Sequence, residues 1–146
     1  MIDLNCRALT RMIQISLPWM SKGSRIINLA SAAAFCPQNG FAVYAATKAY
    51  VLSLSRALSS ELCSRGIIVT AVCPGPVDTE FFQVSGELTD PLKKLTMAKA
   101  PAVVHKALKD SRKRREVSVY GASMKAARIG AWLLPHRLIL RAEELL

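Results

Sequence analysis

The spacing of apolar residues divides this chain into alternating helices and strands. Residues 2–20 carry apolar side chains at mostly helical intervals, and Pro18 should bend or close that helix. A second helical pattern runs from about 41 to 64, where apolar side chains recur at steps of three and four. Two short runs, RIINLA at 25–30 and IIVTAVC at 67–73, are β-branched and apolar on both faces, which is typical of strands buried in a parallel sheet.

Together these elements predict an α/β fold with parallel strands. Two buried strands joined by a helix form a βαβ unit, whose crossover is right-handed in nearly every protein. The other segments are predicted as a loop at 36–40, a long loop with a short helix at 77–97, a helix at 98–110, a strand at 117–120 and a final helix from about 122. We therefore expect one domain over residues 1–146.

The charge of the chain is strongly positive. The 20 lysines and arginines exceed the 10 acidic residues by enough to give a formal charge of +10, which suits nucleic acid, an anionic membrane or an anionic small ligand. The most basic run, KDSRKRRE at 109–116, lacks interleaved aromatic residues and a known binding module, so we expect a solvated loop and no nucleic-acid binding. An anionic substrate such as an acyl carrier remains open.

The C-terminal sequence ARIGAWLLPHRLILRAEELL is apolar with flanking arginines. We favour a helix that covers the substrate crevice or packs in an oligomer; the alternative is an amphipathic helix on a membrane surface. No apolar run reaches the roughly eighteen residues that span a bilayer, and Asp3 and Arg7 argue against a secretory signal. We therefore expect a cytoplasmic protein.

Cysteine and histidine spacing does not indicate a metal site. The four cysteines show neither a CxxC motif nor a disulfide framework, so we expect buried thiols in a reducing cytosol. The two histidines have no partner at metal-ligand spacing. The residues concerned are Cys6, Cys36, Cys63, Cys73, His105 and His136. We expect no metal.

Candidate reactive residues converge on one edge of the predicted sheet. Ligands of open parallel sheets bind at the carboxyl ends of the strands, where Ser31 follows the first strand and the segment 74–79 follows the second. Tyr44 and Lys48 lie in the first turns of the crossover helix and share a face, being four residues apart. A phenol ordinarily ionises near pH 10, so a neighbouring ammonium that stabilises the phenolate makes it a usable acid and base. With Ser31 bonding the substrate oxygen, this set suits carbonyl and alcohol interconversion.

These motifs resemble the short-chain dehydrogenase/reductase family. YAATK fits the YxxxK motif, Ser31 stands thirteen residues before the tyrosine, PGPVDT fits the PG motif after the next strand, and LN at 4 and 5 resembles the segment that supplies the helix asparagine. The resemblance runs from about residue 2 to about residue 85 and more loosely beyond. It implies a Rossmann-like, doubly wound parallel sheet, of which this chain would be the C-terminal half with about three strands.

The resemblance implies a role for each matching residue. Tyr44 would be the acid and base, Lys48 would hold the nicotinamide ribose and stabilise the phenolate, and Ser31 would orient the substrate oxygen. Asn5 would anchor a water that relays protons through Lys48. The nicotinamide would be lined by Pro74, Gly75, Val77 and Thr79, with Thr79 bonding its carboxamide or the phosphates. The cofactor would be NAD or NADP, without a preference readable from this sequence.

One departure from the family pattern limits what the chain is expected to do. The glycine-rich TGxxxGxG turn that cradles the pyrophosphate and the NNAG stretch are both absent from this sequence. We therefore interpret the chain as a fragment of a reductase, or one half completed by a second polypeptide. The alternative is a catalytically incompetent remnant that acts at most as a folding or dimerisation unit. By the resemblance, a homodimer would form through helices 2–20 and 42–64.

Overall fold

The computed structural model describes residues 1–79 and 97–144, without the side chains of 143 and 144. Short helices of other types are a π-helix at Asp3–Ala8 and 3₁₀ turns at Leu17–Trp19 and Ala32–Ala34. In chain order the main elements are α1 (Leu9–Ser16), β1 (Arg25–Leu29), α2 (Ala42–Glu61), β2 (Ile68–Val72), β3 (Val77–Asp78), β4 (Ala98–Lys99), α3 (Ala100–Arg112), β5 (Val117–Ser118), α4 (Ala122–Leu133) and α5 (His136–Glu144).

Three parallel strands form the main sheet, in the order β1-β2-β5. The Cα of Arg25 pairs with that of Ile68 at one end of β1 and the Cα of Leu29 pairs with that of Val72 at the other, so the two strands are in register along their whole length. The connection between them is α2, as a βαβ unit requires. The predicted α/β class with about three parallel strands is confirmed.

The first helical segment covers nearly the predicted range of 2–20. It begins as the π-helix, continues as α1 and ends in the 3₁₀ turn that contains Pro18. The chain becomes extended at Met20, so the expectation that the proline closes this helix is confirmed. Ile13 of α1 packs with Leu62 and with residues of β1 and β2, so α1 and the end of α2 cover the same face of the sheet.

The two long strands differ in burial, which corrects one expectation. β2 is buried at every position, as predicted. β1 is buried only at alternate positions: Ile26 and Asn28 face the helices, whereas Ile27 is 40% exposed and Leu29 is 62% exposed. The expectation that β1 is buried on both faces was therefore wrong. The described residues reach the second face of this edge strand at Arg25, whose guanidinium donates to the carbonyl of Ser111 in α3 at 2.5 Å, but they leave Ile27 and Leu29 largely exposed.

Two short strands form at 77–78 and 98–99, on either side of the residues that the structure does not describe. Residues 77–78 pair in parallel with residues 98–99 as the two-stranded sheet β3-β4, where the sequence predicted a loop and the start of a helix. The short helix expected within 77–97 lies outside the described residues over 80–96. The predicted helix at 98–110 begins two residues later as α3, with Pro101 in its first turn, where a missing backbone N–H costs nothing.

The basic run at 109–116 is only partly the solvated loop that its composition suggested. Its first residues complete α3, and Asp110 is 3% exposed. Hydrogen bonds from Lys106 and from the Ser118 hydroxyl, 2.8 Å away, meet one carboxylate oxygen, and Arg115 lies 3.6 Å from the other. Burial alone would raise the pKa of Asp110, but these partners outweigh it and the pKa is lowered. The run therefore joins α3 to β5.

The C-terminal segment forms two helices where one was predicted. α4 ends at Leu133, Pro135 interrupts the helical hydrogen bonds, and α5 begins at the next residue. A 3.3 Å hydrogen bond from the Asn39 amide to the carbonyl of Leu140 joins α5 to the loop before α2. Among the described residues no helix is both long and apolar enough to cross a bilayer.

A buried polar contact fixes α2 on β1. The Asn28 amide donates to the Ser55 hydroxyl at 2.9 Å, and that hydroxyl donates to the carbonyl of Val51 at 2.7 Å. Ser55 and Val51 are fully buried. A buried amide is stable only when its donors are satisfied, so this pair selects one alignment of the helix along the strand.

Replacing Ser55 with alanine should lower the free energy of unfolding by about 1–3 kcal/mol, because the buried Asn28 amide loses its acceptor. Ser53, two residues away on the exposed side of α2, provides the matched control. The variant Ser53→Ala should change the free energy by less than about 0.5 kcal/mol. Urea unfolding followed by circular dichroism measures both. Equal values for the two variants would contradict the role of this contact.

Candidate active site

Lys48 of α2 reaches the carboxyl end of β1. Its ammonium donates a hydrogen bond to the carbonyl of Leu29 at 2.9 Å and lies 5.7 Å from the centroid of the Tyr44 ring. The side chain is half-buried, and this desolvation lowers the pKa of Lys48. An ammonium has three donors, so a single carbonyl leaves capacity for further acceptors.

Tyr44 lies one helical turn before Lys48 and is half-buried. The ring of Phe41 meets its ring edge-on, with centroids 6.5 Å apart and planes inclined by 74°. Because Phe41 is 52% exposed, the two rings form an apolar rim beside the phenol rather than part of the core. The predicted pairing of Tyr44 with Lys48 on one helix face is present.

Ser31 follows β1 directly and caps the 3₁₀ turn at Ala32–Ala34. Its hydroxyl oxygen accepts a hydrogen bond from the backbone N–H of Ala33 at 3.2 Å, which fixes the side chain and leaves its proton available for donation. The backbone N–H of Ala32, the residue directly after Ser31, donates a hydrogen bond to the carbonyl of Pro74 at 2.8 Å. The turn carrying Ser31 and the PG segment are thus tied together at one edge of the sheet, as the sequence predicted.

Asn5 also reaches this edge, through a residue that the sequence did not single out. Its amide donates to the hydroxyl of Thr47 at 3.1 Å, and that hydroxyl donates to the carbonyl of Tyr44 at 2.8 Å. Thr47 is 4% exposed. Asn5 lies in the π-helix, a geometry that is frequent at functional sites. The contact therefore links the first helical segment to the turn that carries Tyr44 and Lys48.

The PG segment packs closely against α4. A Cβ on Gly75 would lie 2.5 Å from the sulfur of Met124, so only glycine allows this approach without displacing the methionine. Val77 packs beside Val72 and Val103 in the core, and the exposed Thr79 donates to the carbonyl of Val77 at 3.4 Å. The contact joins residues 49 positions apart in the sequence, and no local pattern indicates it.

Cys73 directly follows β2 and is buried, close enough to Lys48 and to the Ser31 backbone for both to affect its thiol. Burial raises the pKa of its thiol from 9.0 to about 11, against smaller opposing effects of the Arg128 charge, a Ser31 backbone hydrogen bond and the Lys48 charge. The four cysteines were all expected to be buried, but only Cys73 is: Cys6 and Cys36 are half-buried, and Cys63 is exposed. Among the described residues no cluster of three His, Cys, Asp or Glu side chains could hold a metal ion.

Comparison with known proteins identifies the family. Residues 1–127 match the family model described as Enoyl-(Acyl carrier protein) reductase. The chain is 36% identical over 102 residues, 68% of its length, to a 3-oxoacyl-[acyl-carrier-protein] reductase of Staphylococcus aureus. A short-chain dehydrogenase from Sphingobium yanoikuyae, solved with NADPH, is similar in structure with a TM-score of 0.74 and 34% identity. The chain belongs to the short-chain dehydrogenase/reductase family.

The match to other short-chain dehydrogenases covers only part of each relative. The chain spans 52% of the Sphingobium enzyme and 40% of the Staphylococcus aureus reductase. An uncharacterized oxidoreductase of Staphylococcus epidermidis is 43% identical over 81 residues, which are 54% of this chain and 35% of that protein. A Burkholderia cenocepacia short-chain dehydrogenase, with 20% identity and a TM-score of 0.78 over 94% of this chain, supports the fold alone. The chain thus corresponds to about half of such a protein or less.

The raised pKa of Cys73 predicts a specific dependence of stability on pH. Above pH 9 the unfolded thiol loses its proton while the folded one keeps it, so the free energy of unfolding falls as the pH rises from 9 to about 11. Between pH 8 and pH 11, the wild-type chain should lose about 2 kcal/mol more than the variant Cys73→Ala.

The variant Cys63→Ala is the control, since that cysteine is exposed. Urea unfolding at a series of pH values measures all three proteins. If the free energy of unfolding changed equally with pH in the wild type and in Cys73→Ala, burial would not hold the proton on this thiol.

Proposed function

We propose that this chain carries the proton-transfer residues of a nicotinamide-dependent oxidoreductase that interconverts a carbonyl and an alcohol. The observation that carries the proposal is the Lys48 ammonium, held by the carbonyl of Leu29 and 5.7 Å from the Tyr44 ring centroid. Membership of the short-chain dehydrogenase/reductase family supports it, as does the Sphingobium relative solved with NADPH.

In this proposal each side chain has one task. The Ser31 hydroxyl donates a hydrogen bond to the substrate oxygen and orients it. Tyr44 gives its phenolic proton to that oxygen during reduction and takes it back during oxidation. Lys48 stabilises the phenolate by Coulomb attraction, and because the ammonium is partly desolvated this attraction is stronger than in bulk water.

The proposed role of Asn5 is positional. The sequence suggested that Asn5 anchors a water that relays protons through Lys48, and its observed partner is Thr47. Since Thr47 bonds the carbonyl of Tyr44, Asn5 would hold the first turns of α2 in the alignment that the proton transfer needs. The relay water stays a prediction.

The residues present fit the nicotinamide end of NAD or NADP. Lys48 retains donors for ribose hydroxyls, and the hydrogen bond from the Ala32 N–H to the carbonyl of Pro74 holds the PG segment at the same edge of the sheet as Ser31. When bound, the cofactor supplies or accepts the hydride. The proposed binding residues are Tyr44, Lys48, Pro74, Gly75, Val77 and Thr79.

A homodimer through the first helical segment and α2 is part of the proposal. These two segments are linked by a 2.6 Å hydrogen bond between the hydroxyls of Thr10 and Tyr50 and share one face of the sheet. Their outer surface exposes large apolar side chains. Those side chains are Leu4, Met12, Ile15, Val43 and Tyr50. Sedimentation as a monomer at micromolar concentration would contradict the dimer.

The cytoplasmic location of the protein stays a prediction.

Replacing Tyr44 with phenylalanine should remove nearly all ketone reduction in the presence of NADPH, by at least about a hundredfold, because the phenol that transfers the proton in this proposal is lost. Tyr50→Phe is the matched control, as it removes a phenol from the same helix, two turns further on. Consumption of NADPH with a panel of cyclic, aryl and acyl-thioester ketones measures the rate. Measurable turnover by the wild type that is equalled by Tyr44→Phe would refute the assignment.

Titration with NADPH and NADH, followed by cofactor fluorescence, tests whether the chain holds the cofactor. Lys48→Gln should weaken binding by about tenfold, because a charge-assisted bond to the ribose is lost. Lys109→Gln, which removes an exposed lysine of α3, should leave binding unchanged. If the folded wild-type chain binds neither cofactor, the alternative of a folding or dimerisation unit is supported.

A further inference from the structure

A groove of about 870 Å³ lies at the β5 edge of the sheet. Its walls come from α2, α3, β5, α4 and the first residue of α5, together with Ala34 and Phe35 from the turn after β1. None of its lining residues is Ser31, Tyr44, Lys48 or a residue of the PG segment. The volume falls in the range of small-molecule sites. The groove is therefore a compartment separate from the proposed catalytic residues.

The position of the groove along α2 supports this separation. Leu52 and Arg56 line it, and they lie two and three turns beyond Tyr44. At about 1.5 Å per residue, the Cα of Arg56 is roughly 18 Å along the helix from that of Tyr44. A ligand in the groove would not have to contact the reacting atoms.

One part of the lining is apolar and accessible. Phe35, Leu52 and Val117 form the inner wall, and Ile129 and Trp132 stand on α4. Ile129 is 58% exposed and Trp132 is 83% exposed, so both can be covered by a ligand. Burial of an aliphatic tail against such side chains is favourable because it removes apolar surface from water.

The polar part of the lining is positively charged. The one acidic lining residue, Asp110, is already bonded to Lys106 and Ser118, and Arg56 pairs with Glu116 at 3.2 Å. Two further cations, Lys125 and Arg128, line the groove from one face of α4. Within 1–79 and 97–144 neither has an ion-pair partner. Two cations beside an apolar wall, neither paired with an acidic side chain in the described part of the chain, match an anionic head with an aliphatic tail.

We propose that this groove binds an amphiphilic anion, a phosphate or carboxylate group carrying an aliphatic chain. Lys125 and Arg128 bind the head, and the tail lies along Leu52, Ile129 and Trp132. The binding is independent of carbonyl reduction, so it holds whether or not the catalytic proposal is correct. The same chemistry is found in a soluble acyl compound and in a membrane phospholipid.

The two tryptophans of the chain allow a direct test. Trp132 lines the groove, whereas Trp19, 88% exposed, does not. In the variant Trp19→Phe, dodecyl phosphate below its micelle concentration should give a saturable shift in the emission of Trp132. In Trp132→Phe the emission of Trp19 should not change. Dodecanol and inorganic phosphate, which each lack one half of the ligand, should bind at least about tenfold more weakly.

Charge variants in the Trp19→Phe background locate the head group. The double change Lys125→Gln and Arg128→Gln should weaken binding by at least about tenfold, since both cations are lost. The matched control, Arg112→Gln and Lys113→Gln, removes the same charge from exposed positions outside the groove and should change affinity less than about twofold. Equal weakening by both pairs would overturn the proposal, since it would mean general charge attraction.

Vesicles of phosphatidylcholine with phosphatidylglycerol distinguish the two sources of the ligand. Binding of both monomeric dodecyl phosphate and vesicles supports the groove and a membrane source, and binding of the monomer alone supports the groove and a soluble source. Vesicle binding without any response to the monomer would overturn the proposal in favour of surface adhesion. Emission of Trp132 that shifts with protein concentration in the absence of ligand would also overturn it, in favour of a second copy in the groove.

Discussion

The hydrogen bond from the Lys48 ammonium to the carbonyl of Leu29 is the contact on which the candidate site depends. It joins the start of α2 to the last residue of β1, so the helix face that carries Tyr44 meets the strand end that carries Ser31. Burying part of a cation has a free-energy cost, seen in the lowered pKa of Lys48. The buried Asn28 and Ser55 pair holds the helix two turns further on and helps to offset that cost.

The elements nearest to this contact were predictable from the sequence because they depend on local patterns. Periodicity located β1, α2 and β2, and the four-residue spacing of Tyr44 and Lys48 set them on one face. Thr47 and Met124 were not predicted, since their partners Asn5 and Gly75 are more than forty positions away. The sequence did not predict the exposed face of β1 for a similar reason, because the apolar composition of a strand does not show which elements pack against it.

The two edges of the main sheet present different surfaces. At the β1 edge, Ile27 and Leu29 offer an apolar face on a strand that pairs on one side with β2 and has no neighbouring strand among the described residues on the other. At the β5 edge, helices close over the strand and cations dominate. Asp110 contributes to this difference. It pairs with Lys106 and Arg115, so two cations of this edge are held at a buried carboxylate while the other cations stay at the surface. The net charge of +10 does not show that one edge of the sheet is apolar and the other cationic.

The βαβ unit from β1 to β2 occupies one uninterrupted stretch of chain, 25–72, and contains Ser31, Tyr44 and Lys48. Both strands, the helix that joins them and the buried contact between Asn28 and Ser55 lie inside this stretch. The candidate catalytic residues are therefore aligned with one another mainly by contacts of the unit that carries them. Substitutions in β5 or α4 can reshape the groove at the opposite edge while Ser31, Tyr44 and Lys48 keep their relative positions.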